Sequence, residues 1–261
     1  MFGFNKQDIR LAFNLFSMNV RDRYLGSFLG SVWAIANPLF MLALYTFVFG
    51  FVLKVRLPGA ETTFAYVIWL ISGYGPWLAT VEALMASTTS VVGAAGVVKN
   101  LAFKTELLPI SAAFIGLISL CVSLCFVLTL LLVDRNGPGS FVLWLPVIVF
   151  LQFFLIVGLG LWLAPMNVFV RDLSLALPNL LTIVMFATPI FYSIDSMPVL
   201  LRRASHANPF YLIAEAYRTT LLQHRAPDGV GLIYVFALAM MLVVSGLRAF
   251  RRAKGFFDSA L

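Results

Sequence analysis

The sequence is short of charge. Asp, Glu, Lys and Arg make up 11% of its 261 residues, against about 25% in an ordinary soluble domain, while hydrophobic residues make up 61%. No polar stretch is long enough to build a soluble domain beside an anchor, so the chain reads as an all-α integral membrane protein of one domain. Cysteine is almost missing. Cys121 and Cys125 lie four apart in an apolar run, share a helix face as small packing residues, and supply no disulfide framework. Histidine is confined to His206 and His224, and no H-E-x-x-H or cysteine–histidine set offers a metal site. A G-x-x-x-x-G-K-[ST] phosphate loop and a G-x-S-x-G elbow are both absent, which excludes ATP hydrolysis by that loop and a serine nucleophile of that type. Asp134 and Asp195 stand in separate turns and form no acid–base pair. The first apolar run is too long for a cleavable signal peptide, and no processing site follows it.

What is present is organised around residues 21–51. Arg21-Asp22-Arg23 belongs in water or among headgroups, and no ionisable side chain except tyrosine then appears until Lys54. That run exceeds the ~20 apolar residues that a membrane-spanning helix needs. Gly26 and Gly30, beside Ser27 and Ser31, form small-x-x-x-small pairs that would let another backbone approach closely. Pro38, after Asn37, should kink the span because it leaves a carbonyl without its N–H partner. Before this elbow, residues 5–24 pattern as an interfacial helix. Ile9, Phe13, Phe16 and Val20 fall on one side and Arg10, Asn14, Ser17 and Arg21 on another, while Leu11, Leu15 and Met18 blur the division.

Six apolar runs follow, at 29–53, 64–85, 107–133, 141–164, 175–192 and 230–247, and the polar turns 54–63 and 134–140 carry Pro-Gly and Asn-Gly-Pro-Gly. Placing both termini in the cytoplasm puts Lys6, Arg10, Arg21, Arg23, Lys99, Lys104, Arg171, Arg248, Arg251, Arg252 and Lys254 inside. Lys54, Arg56, Arg135, Arg202, Arg203, Arg218 and Arg225 then lie outside. This inside excess sets the orientation. It also accounts for the net charge of +7 without a nucleic-acid partner.

Residues 193–229 are too patterned for a plain loop. Pro189, Pro198 and Pro209 punctuate the approach to a short helix at 209–222 with Asn208 as its cap. A helix pair dipping back into the outer leaflet fits this pattern, as irregular backbone survives at that depth only when buried in protein or lining a wet cavity. Arg202, Arg203 and Arg218 exceed what the charge bias expects outside. Arginine forks suit phosphate oxygens, so these are candidates for an outer gate or a pyrophosphate contact. On the inner side, 97–109 presents Leu101 and Phe103 within a rim of Lys99, Lys104 and Glu106, and 167–174 carries Arg171 and Asp172. Each has the apolar-centre, polar-rim composition of a partner contact.

Glu82 falls late in the second run, where a mid-membrane carboxylate costs ~2.5–3.5 kcal/mol. Gly73-Tyr74-Gly75-Pro76 upstream could break the helix and admit water. Glu82 therefore either lines a polar pathway or reaches the inner headgroups. Aromatic faces stack on sugar rings, which makes Trp33, Tyr45, Tyr66, Trp69, Tyr74 and Trp77 candidates for the lining of a glycan path beside Glu82. Trp33, with Trp144 and Trp162, also suits an interfacial belt.

Together these residues resemble one family over almost the whole chain. The elbow Arg23-Tyr24-Leu25-Gly26-Ser27-x-Leu29-Gly30-x-x-Trp33, with Pro38-Leu39, is similar to the start of the first span in polysaccharide-export permeases of the ATP-binding cassette superfamily. These are the O-antigen, teichoic-acid and capsule exporters. Arg171-Asp172-Leu173, Thr188-Pro189-Ile190-x-Tyr192 and Pro198 resemble the family's fifth span, and Asn208-Pro209 with Arg218 its re-entrant outer helices. One departure stands out: the family's inner loop commonly reads Phe-Pro where this chain has Phe103-Lys104, with the proline delayed to Pro109. The start of the third helix is thereby left open.

The resemblance implies a homodimer of six-span subunits in the bacterial inner membrane. Each subunit would comprise an interfacial helix and elbow (1–28), spans one to five (29–192), the re-entrant segment (193–229) and the sixth span with a cytoplasmic tail (230–261). Two separate ATPase subunits would bind ATP and Mg, this chain would carry no cofactor, and Lys99–Glu106 and Arg171–Asp172 would receive the ATPase stroke. The cargo implied is a polysaccharide linked to undecaprenyl pyrophosphate. A channel or secondary carrier, and a membrane-embedded glycan-lipid enzyme, are the alternatives that the residues alone leave standing.

Overall fold

The computed structural model describes residues 5–23, 26–54, 63–100, 103–134, 137 and 139–257. Among these every regular element is a helix. The apolar runs explain the main ones. Five are long and apolar enough to cross a membrane: Gly30–Val52, Thr63–Gly93, Leu107–Val133, Ser140–Phe169 and Gly229–Phe256. The protein is a multi-pass membrane protein. Its elements are α1 (Lys6–Arg23), α2 (Trp33–Tyr45, continued as a π-helix over Thr46–Val52), α3 (Thr63–Gly93), α4 (Ala95–Asn100) and α5 (Leu107–Val133). They continue as α6 (Leu145–Phe169), α7 (Asp172–Ala187), α8 (Val199–His206), α9 (Pro209–Leu221) and α10 (Gly229–Ala253).

α3 is the centre of the bundle. It packs against α5, α6, α7 and α9, and α10 closes the far side of α6. The helix runs on past the expected end at Met85 to Gly93, and it passes through Gly73-Tyr74-Gly75-Pro76 unbroken. That stretch was expected to open the helix to water, but its glycines serve close packing. A Cβ on Gly75 would lie 2.6 Å from Ser123 Cβ, and one on Gly73 2.6 Å from Arg218 Nη2.

The fifth apolar run departs from a simple span. Its helix, α7, has 16 residues, about 24 Å at 1.5 Å per residue, which is short of the ~30 Å hydrocarbon core. It stops because Thr188, preceding Pro189, is extended (φ −94°, ψ 132°). The chain completes this passage as non-helical backbone with Thr188, Pro189 and Ile190 buried, in keeping with the rule that such backbone must be covered by protein.

The elbow also differs from expectation. Gly26 (φ +80°) and Gly30 (φ +53°) adopt left-handed conformations, and among the described residues nothing lies within 4 Å of where their Cβ atoms would be. They turn the chain and make no close helix contact. Cys121 and Cys125 share a face as expected, but it is the exposed face of α5. In α1, Ile9 and Phe13 are exposed while Leu15 is buried and Leu11 packs on the core. The helix thus shows one apolar side outward and another to α5. The third helix begins at Leu107, so Pro109 sits in its first turn, where a proline is tolerated.

Candidate translocation path and coupling face

At one end of the bundle α8 and α9 form the re-entrant hairpin. Pro209 starts α9, and Asn208 caps it by accepting from the Phe210 N–H at 2.9 Å. Phe210 packs edge-on against Trp77 at 5.3 Å. Trp77 lies fourteen residues into α3, so the hairpin tip sits about 21 Å along that helix. Returning from the tip, Tyr217 donates its hydroxyl to Gln152 Oε1 at 2.8 Å, and Gln152 Nε2 donates to the Pro76 carbonyl at 2.7 Å and to Thr80 Oγ1 at 3.1 Å. α9 is in this way tied to α6 and α3 at once.

Arg218 comes next and is 1% exposed. Its guanidinium donates to the carbonyls of Trp69 (3.3 Å), Pro189 (3.1 Å) and Ile190 (2.8 Å). It also pairs with Glu215 at 3.6 Å and stacks 3.6 Å above the Trp69 ring. The non-helical backbone at the end of α7 supplies two of those acceptors, so Arg218 satisfies the carbonyls that the early stop of α7 leaves free. Its donors are occupied by the chain itself, which makes it a structural pin. Of the other two arginines in the expected outer group, Arg202 is half-buried and held by Asp195, with its carbonyl at 2.8 Å and its carboxylate at 3.4 Å. Arg203 is exposed.

Four of the six candidate path aromatics come together beside this pin. Tyr45 lies 4.3 Å from Tyr74 and 5.4 Å from Phe191, and Tyr66 lies 5.9 Å from Trp69. The Tyr66 hydroxyl donates to the Phe191 carbonyl at 2.7 Å. Tyr66 and Tyr74 are buried, and Tyr45 and Trp69 half-buried. The cluster clamps α2 and the α7 end onto α3, so within one subunit its main work is packing. Trp77 is buried against Phe210, away from the cluster, and Trp33 is exposed at the start of α2. Glu82 stands apart from all of these. Ser119 Oγ donates to its Oε2 at 2.5 Å and Asn37 Nδ2 to its Oε1 at 3.5 Å.

At the opposite end, the segment expected to meet a partner is clasped by both ends of the chain. Lys104 pairs with Asp8 of α1 at 2.5 Å, and that ammonium, with the Asn5 N–H, holds the Asp8 carboxyl below the usual range. Glu106, 4% exposed, accepts from Arg251 Nε at 3.0 Å, and Lys254 donates to the Phe103 carbonyl at 2.8 Å. Phe103 is half-buried and Lys99 exposed on α4, while Leu101 lies outside the described residues. Arg171 and Asp172 are exposed at the tight α6–α7 turn, where buried Asn167 accepts from the Ser174 N–H at 3.1 Å. No local signal in the sequence marks the clasp, since Lys104 and Asp8 are 96 residues apart and Glu106 and Arg251 are 145 apart. Gln152 carried a readable signal, as the only amide or ionisable group in the run 141–164.

A family model for ABC-2 type transporter matches residues 11–222. The chain belongs to the ABC-2 type transporter family. The match runs from within α1 to the end of α9, including the elbow, the loop before α5 and the re-entrant hairpin. Two relatives extend the likeness to more than nine-tenths of the chain. An O-antigen export system permease protein RfbA of Myxococcus xanthus is 25% identical over 253 residues, covering 96% of this chain and 95% of the relative. A protein of the same name from Klebsiella pneumoniae is 26% identical over 245 residues, covering 93% and 92%. Within the ABC-2 family frame the chain is a transmembrane subunit, and α10 and the residue after it, beyond the matched residues, supply Arg251 and Lys254 to the clasp.

Proposed function

We propose that the protein is the membrane subunit of an ATP-driven exporter that moves a lipid-linked cell-surface polysaccharide, such as an O-antigen carried on undecaprenyl pyrophosphate, across the bacterial inner membrane. The observation carrying this reading is the alignment over more than 90% of both chains with relatives named O-antigen export system permease. The sequence has no phosphate loop, so ATP and Mg are assigned to two separate ATPase subunits and this chain needs no cofactor of its own. The basic-residue excess puts both termini in the cytoplasm, which places the α1 end toward ATP and the hairpin end outside.

On this reading the clasped segment 103–106, with Lys99 and the Arg171–Asp172 turn, receives the ATPase. Two such subunits assemble as a homodimer, for which the exposed apolar residues of α2 and α7, among them Phe40, Phe47, Ile183 and Phe186, offer an uncovered face. Arg203 is left as the exposed arginine that can meet phosphate at the exit. The test is genetic and biochemical together. Deleting the gene should abolish surface glycan and leave lipid-linked glycan accessible only from the cytoplasm, and proteoliposomes holding this chain with its ATPase should move that glycan only when ATP is hydrolysed. Surface glycan persisting in the deletion strain, or transport without the ATPase, would reject the assignment.

A further inference from the structure

Glu82 lies about 28 Å from the start of α3 and about 16 Å from its end, by helix rise. Its single carboxylate reaches α5 through Ser119 at 2.5 Å and α2 through Asn37 at 3.5 Å. The two contacts are unequal: the first is short, while the second sits at the outer limit of a hydrogen bond. Beside Glu82 is a cleft of about 630 Å³ that α1, α3 and α5 line, with Asp22 and Arg23 on its wall. A second, one-water cavity of about 10 Å³ is bounded by Arg23, Ala34, Glu82, Ile118 and Ser119.

The α2 side of this contact is built to move. Asn37 immediately precedes Pro38, which lies inside α2. Pro38 has no N–H for the carbonyl of Ala34, and Ala34 lines the small cavity with Glu82. The helix ladder is therefore interrupted at the level where Glu82 holds it. Upstream, α2 joins α1 through the left-handed Gly26 and Gly30, where among the described residues nothing lies within 4 Å of an added Cβ. Within one subunit α2 buries only Ala34, Pro38 and Leu42, whereas Ile35, Phe40 and Leu44 are exposed. Tyr45 clamps the far end of α2 onto α3, but before it a lightly packed stretch, a proline at the contact and a glycine elbow leave the Asn37–Glu82 hydrogen bond as the polar tether among the described residues.

We propose that Glu82 is a latch for α2. Its carboxylate holds the first turns of α2 against α3 and α5, and release lets that part, before the Tyr45 clamp, bend at Pro38 and swing about the Gly26–Gly30 elbow, enlarging the small cavity toward the cleft. α1, anchored at its other end to the clasped loop by Asp8–Lys104, is the lever that pulls the elbow. The link of this motion to export rests on the function proposed above; the latch is a property of the chain alone.

The test uses the full-length protein with Cys121→Ser and Cys125→Ser. Ala34→Cys and Ile118→Cys place one thiol on α2 and one on α5 around the small cavity, leaving Glu82, Asn37 and Ser119 intact. Joining them with a short bis-methanethiosulfonate should abolish ATP-driven export by the assembled transporter, and dithiothreitol should restore it. Undiminished export by the cross-linked protein overturns the proposal. A second readout needs no transport. Reactivity of Ala34→Cys alone toward a maleimide should rise by about two- to tenfold when Glu82→Ala is added, the scale of losing one modest net hydrogen bond, and Glu82→Gln should rise less. Equal reactivity in monodisperse wild-type and Glu82→Ala protein also overturns it. If reactivity rises as expected but the reduced transporter moves no glycan, the latch stands and the export assignment fails.

Discussion

Arg218 and Glu82 both carry a formal charge into the apolar body of the bundle, and they are held in opposite ways. Arg218 has three backbone carbonyls, a carboxylate and an indole face around it, all from elements that pack tightly on α3. Glu82 has one short hydrogen bond to α5 and one long one to α2, with a cleft alongside. A buried ion that is fully partnered fixes the geometry around it, because any displacement strands several groups at once. An ion whose weaker contact is to a lightly packed helix can lose that contact cheaply. The hairpin end thus reads as the fixed part of the subunit and the α2 side as the part that changes.

The comparison can be broken by substitution, and the largest effect is expected at the pin. Arg218→Met leaves the Trp69, Pro189 and Ile190 carbonyls without their donor and Glu215 unpaired. A loss of about 3–5 kcal/mol is expected, as for removal of one partner from a buried ion pair, seen as a collapse of the thermal midpoint in detergent or of folded yield. An undiminished midpoint would show that the carbonyls find other partners and that the hairpin does not depend on Arg218. Gly73→Ala should cost about 1–3 kcal/mol by overpacking, since its methyl carbon would meet Arg218 Nη2 at 2.6 Å.

Tyr217→Phe removes the hydroxyl donated to Gln152 and should cost about 1–3 kcal/mol for the buried amide oxygen left unsatisfied, measured by the same unfolding assay. The smallest stability effect is expected at the latch. Glu82→Gln keeps a hydrogen-bonding group of the same shape and removes a charge, so stability should change by less than about 1 kcal/mol while export slows or loses its dependence on the ATPase cycle. A large destabilisation there, with export per folded molecule unchanged, would make Glu82 a second pin and erase the contrast.

Much of the fold was legible in the sequence because apolar run length and basic flanks report directly on spanning helices. The re-entrant segment was legible too, through Asn208-Pro209 and the patterned residues after it. The short α7 was not separated from its extended tail, since 175–192 stays apolar through Thr188-Pro189 and hydropathy cannot see where the hydrogen-bond ladder stops. Gly26 and Gly30 show a related limit: their spacing matches a packing motif and equally serves a left-handed turn, and only the backbone angles decide. The inner segment 97–109 stands out by its composition, but its clasp joins residues 96 to 151 positions apart and leaves no local trace. Arg218 stands out in the sequence by its fork, and within the chain that fork meets backbone carbonyls. An arginine fork suits phosphate oxygens and backbone carbonyls alike, and the non-helical carbonyls of Pro189 and Ile190 beyond the end of α7 are invisible in one dimension. Glu82 was conspicuous as a lone carboxylate, whereas Ser119 and Asn37 were two polar residues among several.

Hydrogen–deuterium exchange on the detergent-solubilised protein, comparing wild type, Glu82→Ala and Arg218→Met, tests the contrast most directly, because local opening free energies are read segment by segment. Glu82→Ala should speed exchange in α2 around residues 34–45 and leave α9 and residues 188–191 protected. Arg218→Met should deprotect α9 and 188–191 first, with α2 following only as the whole bundle loosens. Unchanged protection of α2 in Glu82→Ala, or the same exchange pattern in both variants, would contradict a fixed hairpin end and a latched α2.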